Sequence, residues 1–275
     1  MKNLLVLANI SSDNDQLIEY AAAFCKQYRF KLHLLYVSSN RDPVLVSSAF
    51  TFINQEFLQS ELEQGKKLTH KLSALVAPIL DKEFVQMSVH QGNQEQVLKS
   101  FVNDKFIDII MLGTSDLETE SEFVNHKNIL MNVIDTPLFV VPENHLFSEL
   151  SRFNFLTTHT VDNKQKLVRV FDMFPETEMT LTHFRGHSEG DEIALTKSQK
   201  WFDYVSAKTG KTMKYESLEM DIRKYMESEN YGVTQRFDAF VFTSRKRNFW
   251  SRLIDPSTTL GILAGLELPS LIFKV

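Results

Sequence analysis

The sequence predicts an α/β fold built from two units in tandem, each with a five-stranded parallel sheet and helices between the strands. Two observations carry this prediction. Short apolar runs alternate with amphipathic stretches, which is typical of β-α-β units. The same order of landmarks also occurs twice along the 275 residues. At about 100–200 residues per domain, this length favours two compact domains over one.

In the first half, Asp13 and Asp15 can begin a helix because their carboxylates accept backbone N–H groups, and Pro78 ends a later one. The run 107–113 is almost wholly apolar, as expected of a strand buried on both faces. The predicted strands are 3–9, 31–38, 84–89, 107–113 and 137–141, and the predicted helices are 13–28, 54–77, 93–103 and 123–134.

The second half repeats this order after a short polar connection, so the predicted domains are 1–142 and 152–275. The predicted strands are 153–158, 179–184, 212–217, 237–243 and 269–275, with helices ending near 174 and covering 191–208, 220–229 and 249–266. The run 107–115 matches 237–245, and Pro137 and Pro269 follow their Asp-led strands at similar distances. The matched landmarks predict an internal duplication.

Composition excludes several classes of protein. Thirty Lys and Arg against 35 Asp and Glu leave a net charge of −5, which argues against nucleic acid as a partner. The single cysteine, Cys25, allows no internal disulfide and indicates a reducing compartment. There is neither a targeting signal nor an apolar run of about 18 residues, so we expect a cytoplasmic protein that does not enter the membrane.

Three motifs carry a family resemblance: the Asp-led strand entering Gly113-Thr114, the turn Gly92-Asn93-Gln94-Glu95, and the strand 32–37. They resemble the universal stress protein family, more weakly in the second half. The resemblance implies doubly wound sheets in the strand order 3-2-1-4-5, similar to adenine-nucleotide α-hydrolases. It also implies a ligand crevice beyond the carboxyl ends of strands 1 and 4.

In many family members that crevice holds ATP, cradled by a glycine loop in which backbone N–H groups approach the phosphates. In the first half the resemblance points to Asn9 at the end of strand 1, Val37 against the adenine, and Gly113 with Thr114 in the loop. Asp116 replaces the second glycine and opens an acidic run to Glu122. Each close carboxylate–phosphate pair costs about 1–4 kcal/mol, so this ATP motif is degenerate.

The second half keeps different parts of the motif. Thr158 or His159 follows its first strand, and the loop Thr243-Ser244-Arg245 is basic but lacks glycines. Ser257, after Pro256, keeps the hydroxyl of the family's Gly-Ser pair. The loop is either a basic surface loop or a weak phosphate site.

We therefore expect a non-catalytic stress-response module that acts by binding a ligand or a protein partner. No cofactor or metal is expected, although ATP or another adenine nucleotide stays open. The alternatives are a nucleotide or phosphometabolite sensor using the C-terminal half, and a weak ATP hydrolase. The latter lacks any catalytic constellation, nucleophile elbow or P-loop.

The terminal strands suggest how the halves are joined. An apolar edge strand invites pairing with another strand. Residues 138–141 and 271–273 are therefore expected to pair within one chain as a pseudo-dimer, with a homodimer as the alternative.

Overall fold

A computed structural model describes residues 1–8, 15–39, 49–114, 135–143, 145–158, 163–185, 191–219, 225, 236–244 and 267–274. Contacts within the chain divide it into two compact units, Met1–Thr136 and Pro137–Val275. The strand predicted at 137–141 groups with the second unit, because it pairs with a strand there. The domain bounds 1–142 and 152–275 stay predictions.

The described part of the first unit contains four parallel strands in the order β3-β2-β1-β4. Its elements are β1 (Lys2–Leu7), α1 (Asp15–Tyr28), β2 (Phe30–Ser39), α2 (Ala49–Val76), a 3-10 helix (Lys82–Phe84), β3 (Val85–Gly92), α3 (Gln94–Asp104) and β4 (Ile109–Gly113). β3 runs three residues beyond its predicted end, because its pairing with β2 continues to Ser39 and Gly92.

The described part of the second unit contains six strands in the order β5-β10-β9-β6-β7-β8. Its elements are β5 (Leu138–Val141), β6 (Arg152–Thr157), α4 (Lys164–Met173), β7 (Glu178–Phe184), α5 (Asp191–Thr209), β8 (Met213–Leu218), β9 (Ala239–Ser244) and β10 (Ser270–Lys274). All neighbours are parallel except β5 and β10, which are antiparallel with Leu271 opposite Phe139.

The α/β fold class is confirmed. Strands β8-β7-β6-β9-β10 give the predicted order 3-2-1-4-5 for the second repeat, and the first unit shows its 3-2-1-4 part. Three predicted helices, at 123–134, at 220–229 apart from Tyr225, and at 249–266, lie outside the described residues.

The central strands form because their side chains are apolar on both faces. Leu4, Leu5 and Val6 of β1 and the neighbouring Ile109 and Ile110 of β4 are fully buried. α1 buries one stripe against them, consisting of Leu17, Ile18, Ala21, Phe24 and Cys25. Burial raises the pKa of the Cys25 thiol, so this cysteine is an unreactive part of the core.

An aspartate at the amino edge of each sheet makes the same contact in both units. Asp108 Oδ2 accepts the backbone N–H of Asn3 at 2.8 Å, and Asp238 Oδ2 accepts that of Arg152 at 2.8 Å. Burial alone would raise the pKa of Asp238, but hydrogen bonds from Arg152 and Ser151 outweigh it and hold the pKa below its usual value. The Asp that leads each fourth strand therefore fastens it to the first strand.

Candidate functional site

The switch point of each sheet lies where the first strand has neighbours on both sides. In the second unit β6 lies between β7 and β9, and in the first unit β1 lies between β2 and β4. Ligands of doubly wound sheets bind beyond the carboxyl ends of the strands at this point. The residues that follow these strands are therefore the candidates for a site.

In the second unit a buried asparagine reaches the end of β9. Asn163, only 2% exposed, donates from Nδ2 to the Thr243 hydroxyl at 2.9 Å. Its Oδ1 is buried and has no hydrogen-bond partner among the described residues. Leaving a buried acceptor unsatisfied costs about 1–3 kcal/mol, so this amide offers a strong position for a hydrogen-bond donor.

The local backbone explains why this side chain is available. Asn163 precedes α4, and its backbone carbonyl accepts from Lys166 and Leu167 at 2.8 and 3.2 Å. Its side chain makes no capping hydrogen bond to that helix, although asparagine commonly caps helices. The amide therefore remains directed to the β9 end rather than to its own helix.

Two further side chains at this edge extend the polar surface. Thr158 follows β6 and is exposed, whereas Thr157 before it is buried. Lys274, at the end of β10, is 6% exposed and in register with Ser244, the last residue of β9. Thr158 and Lys274 thus lie at the same edge of the sheet as Asn163.

The predicted residues of the first unit lie at the corresponding edge. Gly113 ends β4 and Thr114 follows it with 7% exposure, both beside the end of β1. Val37 is half-buried on β2, in register with His90. Asn9, Arg245, Ser257 and His159, the acidic run from Asp116 to Glu122, and the side chain of Ser244 lie outside the described residues.

The sequence predicted Thr243 as a site residue, but it did not indicate Asn163 or Lys274. An Asn just before an amphipathic stretch is a helix-start signal. The sequence pattern therefore predicts only that Asn163 caps a helix, and it does not indicate the contact with Thr243. Lys274 lies in an apolar terminal run, where only the register with β9 reveals its position.

The sequence and the fold were each similar to those of known proteins. The model of the universal stress protein family matches residues 1–142, which is more than half of the chain. The chain belongs to the universal stress protein family. A search of the curated proteins finds no match.

Solved structures of similar fold span nearly the whole chain. A universal stress protein from Archaeoglobus fulgidus has a TM-score of 0.67 at 11% identity, covering 99% of this chain and 96% of its own. A functionally unknown protein from Pseudomonas aeruginosa PAO1 gives 0.51 at 12% identity, with coverages of 100% and 92%. A candidate universal stress protein from Pseudomonas aeruginosa UCBPP-PA14 gives 0.52 at 12% identity, with coverages of 100% and 93%. At such identities the likeness concerns the fold.

The described ranges of this universal stress protein family member contain no cluster of three or more His, Cys, Asp or Glu side chains suited to a metal ion. His183 is fully buried, with Nδ1 3.3 Å from the Tyr215 hydroxyl, and His187 lies outside the described residues. In the same ranges, no helix has the length and apolar character needed to cross a bilayer.

Proposed function

We propose that this member of the universal stress protein family is a non-catalytic binding module whose small-molecule site lies in the second unit, beyond β6 and β9. The observation that carries the proposal is the buried Asn163 amide, whose Oδ1 has no hydrogen-bond partner in the part of the chain that the structure describes. A ligand N–H or O–H group that donates to this oxygen removes the cost of leaving it unsatisfied.

The ligand class follows from the charges at this edge. Lys274 and the basic loop predicted at Arg245 favour a phosphate group, and the Asn163 amide and the Thr243 hydroxyl suit a base or ribose. A nucleotide or another phosphorylated metabolite combines both parts. The first unit, with its acidic run after Thr114, serves in this proposal as the structural or partner-binding half.

The first experiment looks for the ligand without assuming it. The purified protein is heated to release bound small molecules, which are identified by mass spectrometry, and Mg-ATP is then titrated calorimetrically. We expect at most one site per chain. Two Mg-ATP sites of equal affinity would contradict the assignment to the second unit, and ATP turnover above a buffer blank would contradict a non-catalytic role.

A pair of variants locates the site. Asn163→Leu keeps the branched outline of the side chain but replaces the amide by two methyl groups, and we expect it to weaken binding about tenfold or more while the fold persists. Thr114→Val changes a hydroxyl at the equivalent edge of the first unit and serves as the control. Equal losses in both variants would count against the second-unit site.

We also propose that β5 and β10 take the place of a strand pairing between two copies. The support is their antiparallel register, which joins Leu138, Phe139 and Val140 to the apolar strand before Lys274. Pairing of this kind satisfies the backbone groups of a strand edge that would otherwise invite another chain. A protein partner would then bind elsewhere.

A further inference from the structure

A groove in the first unit lies away from the switch point, between the edge strand β3 and the helix α3. Its volume is about 520 Å³, within the range usual for small-molecule sites. Gln86, Ser88 and His90 line one wall, because alternate residues of a strand point to the same face. Gln96 and Ser100 line the other wall, four residues apart on α3.

The lining offers hydrogen bonds that the protein does not use. The side chains of Gln86, Ser88 and Gln96 have no hydrogen-bond partner among the described residues. Each amide and hydroxyl can both donate and accept. Phe101 of α3 packs the helix against the sheet. Its ring makes T-shaped contacts with the rings of His33 and His90, at centroid distances of 5.9 and 5.8 Å.

In the second unit, the residues equivalent to Gln86 and Ser88 form ion pairs. In the sheet register, Gln86 and Ser88 correspond to Lys214 and Glu216 of β8. There, Lys214 pairs with Glu178 at 2.9 Å and Glu216 pairs with Arg236, so both side chains serve ion pairs within the unit. The first repeat has neutral hydrogen-bonding groups at the same places, and they face the groove.

Charge at the end of the groove decides the ligand class. Asp104 and Lys105 contribute opposite charges, and the Asp104 carboxylate accepts from the Ser100 hydroxyl at 2.9 Å. A phosphate approaching Lys105 meets the neighbouring carboxylate, which repels it. A neutral ligand with several hydroxyl groups meets complementary donors and acceptors on both walls, and Val97 adds an apolar contact.

We propose that this groove binds a neutral polyhydroxylated molecule of mono- or disaccharide size. The site is separate from the one proposed beyond β6 and β9, and each can fail without the other. The first unit would then bind a ligand in a groove that is distinct from the nucleotide crevice of the family.

Backbone amide spectra of the ¹⁵N-labelled, 31.8-kDa full chain test this directly. Maltose is titrated to about 50 mM, with glucose 6-phosphate as the charged comparison. We expect maltose to shift amides in 86–90 and 96–105 saturably. Absence of saturable shifts, or tighter binding of glucose 6-phosphate at the same amides, would overturn the proposal.

Variants on one strand supply the control. Gln86→Leu replaces a groove amide, whereas Gln91→Leu replaces an amide on the opposite face of β3. Loss of two-sided hydrogen bonding is expected to weaken maltose binding about tenfold in Gln86→Leu and to leave Gln91→Leu unchanged. Unchanged binding in Gln86→Leu, at unchanged thermal stability, would refute the groove as the site. Asn163→Leu is expected to bind maltose normally.

Discussion

At the residue scale, His33 combines burial with an incomplete set of hydrogen bonds. Its side chain is 2% exposed, Nε2 lies 3.1 Å from Asn3 Oδ1, and Nδ1 has no partner among the described residues. Burial, together with repulsion from Lys31 and Lys105, lowers the pKa of His33 to about 4. The imidazole is therefore mostly neutral in the folded protein above about pH 4.

This shift predicts a pH-dependent stability. Below about pH 6.5 the unfolded chain binds a proton at His33 that the folded chain refuses until about pH 4. The free energy of unfolding is therefore highest above about pH 6.5, and it falls by up to about 3 kcal/mol as the pH drops towards 4. Urea unfolding at several pH values measures this, and the free energy of unfolding should depend less steeply on pH in His33→Gln than in the wild type. The control is His90→Gln, which changes an exposed histidine and should keep the wild-type pH dependence. An equal pH dependence in the wild type and His33→Gln would show that His33 is not the group responsible.

Asp238 predicts a second dependence in a lower pH window. Its lowered pKa means that its stabilisation is present at neutral pH and is lost as the pH falls from about 4 through the folded-state value. Asp238→Asn removes the charge that Arg152 contacts at 2.7 Å, and we expect a loss of about 1–3 kcal/mol at pH 7. Denaturant unfolding measures this loss of unfolding free energy. The control is Glu176→Gln, which removes an exposed charge, and an equal loss in that variant would show a general effect of charge and not the contact with Arg152.

At the element scale, α3 ends in a motif that normally requires glycine. Ile107 N–H donates to Val102 O at 3.0 Å and Phe106 N–H donates to Asn103 O at 3.2 Å, the hydrogen bonds of a Schellman motif. Phe106 occupies the left-handed position with φ 48° and is 81% exposed. The helix end therefore carries backbone strain that little side-chain packing offsets.

Replacing this residue should stabilise the protein. Phe106→Gly relieves the strained conformation, and we expect the free energy of unfolding to rise by about 0.5–1 kcal/mol. Asn103→Gly, inside the last helical turn, should instead lower it by roughly 0.1–0.4 kcal/mol, because asparagine is itself a weak helix former. Urea denaturation compares the two variants. A loss in Phe106→Gly would mean that the phenylalanine ring contributes more than its exposure indicates.

At the scale of the whole molecule, β10 is enclosed within the second unit. It pairs with β9 on one side and β5 on the other, and Leu271 and Phe139 are fully buried where β5 and β10 meet. Both backbone edges of β10 are used, so this strand offers none to a second copy.

This arrangement predicts the mass in solution. We expect light scattering after size-exclusion chromatography to give a monomer of 31.8 kDa at micromolar concentration. Phe139→Ala should lower the free energy of unfolding by about 3–5 kcal/mol, since it opens a cavity beside β10. The exposed Phe106→Ala provides the comparison and should change it little. A stable dimer of the wild-type protein would require an interface other than β10.

The positions of the described strands along the chain, the predicted duplication, the Asp-led fourth strands and the place of Thr243 follow from the sequence by itself, whereas the order of the strands within each sheet was implied by the family resemblance. Their signals are local, because a strand buried on both faces is apolar throughout and a duplicated unit repeats its landmarks. The sequence predicted that 138–141 pairs with 271–273, and the tertiary structure alone decided the antiparallel direction and register of that pairing, the groove beside β3 and the contact between Asn163 and Thr243. The strand register and the Asn163 contact join residues distant in the chain, and the groove depends on how α3 packs beside β3. Neither long-range register nor packing leaves a pattern within a single segment.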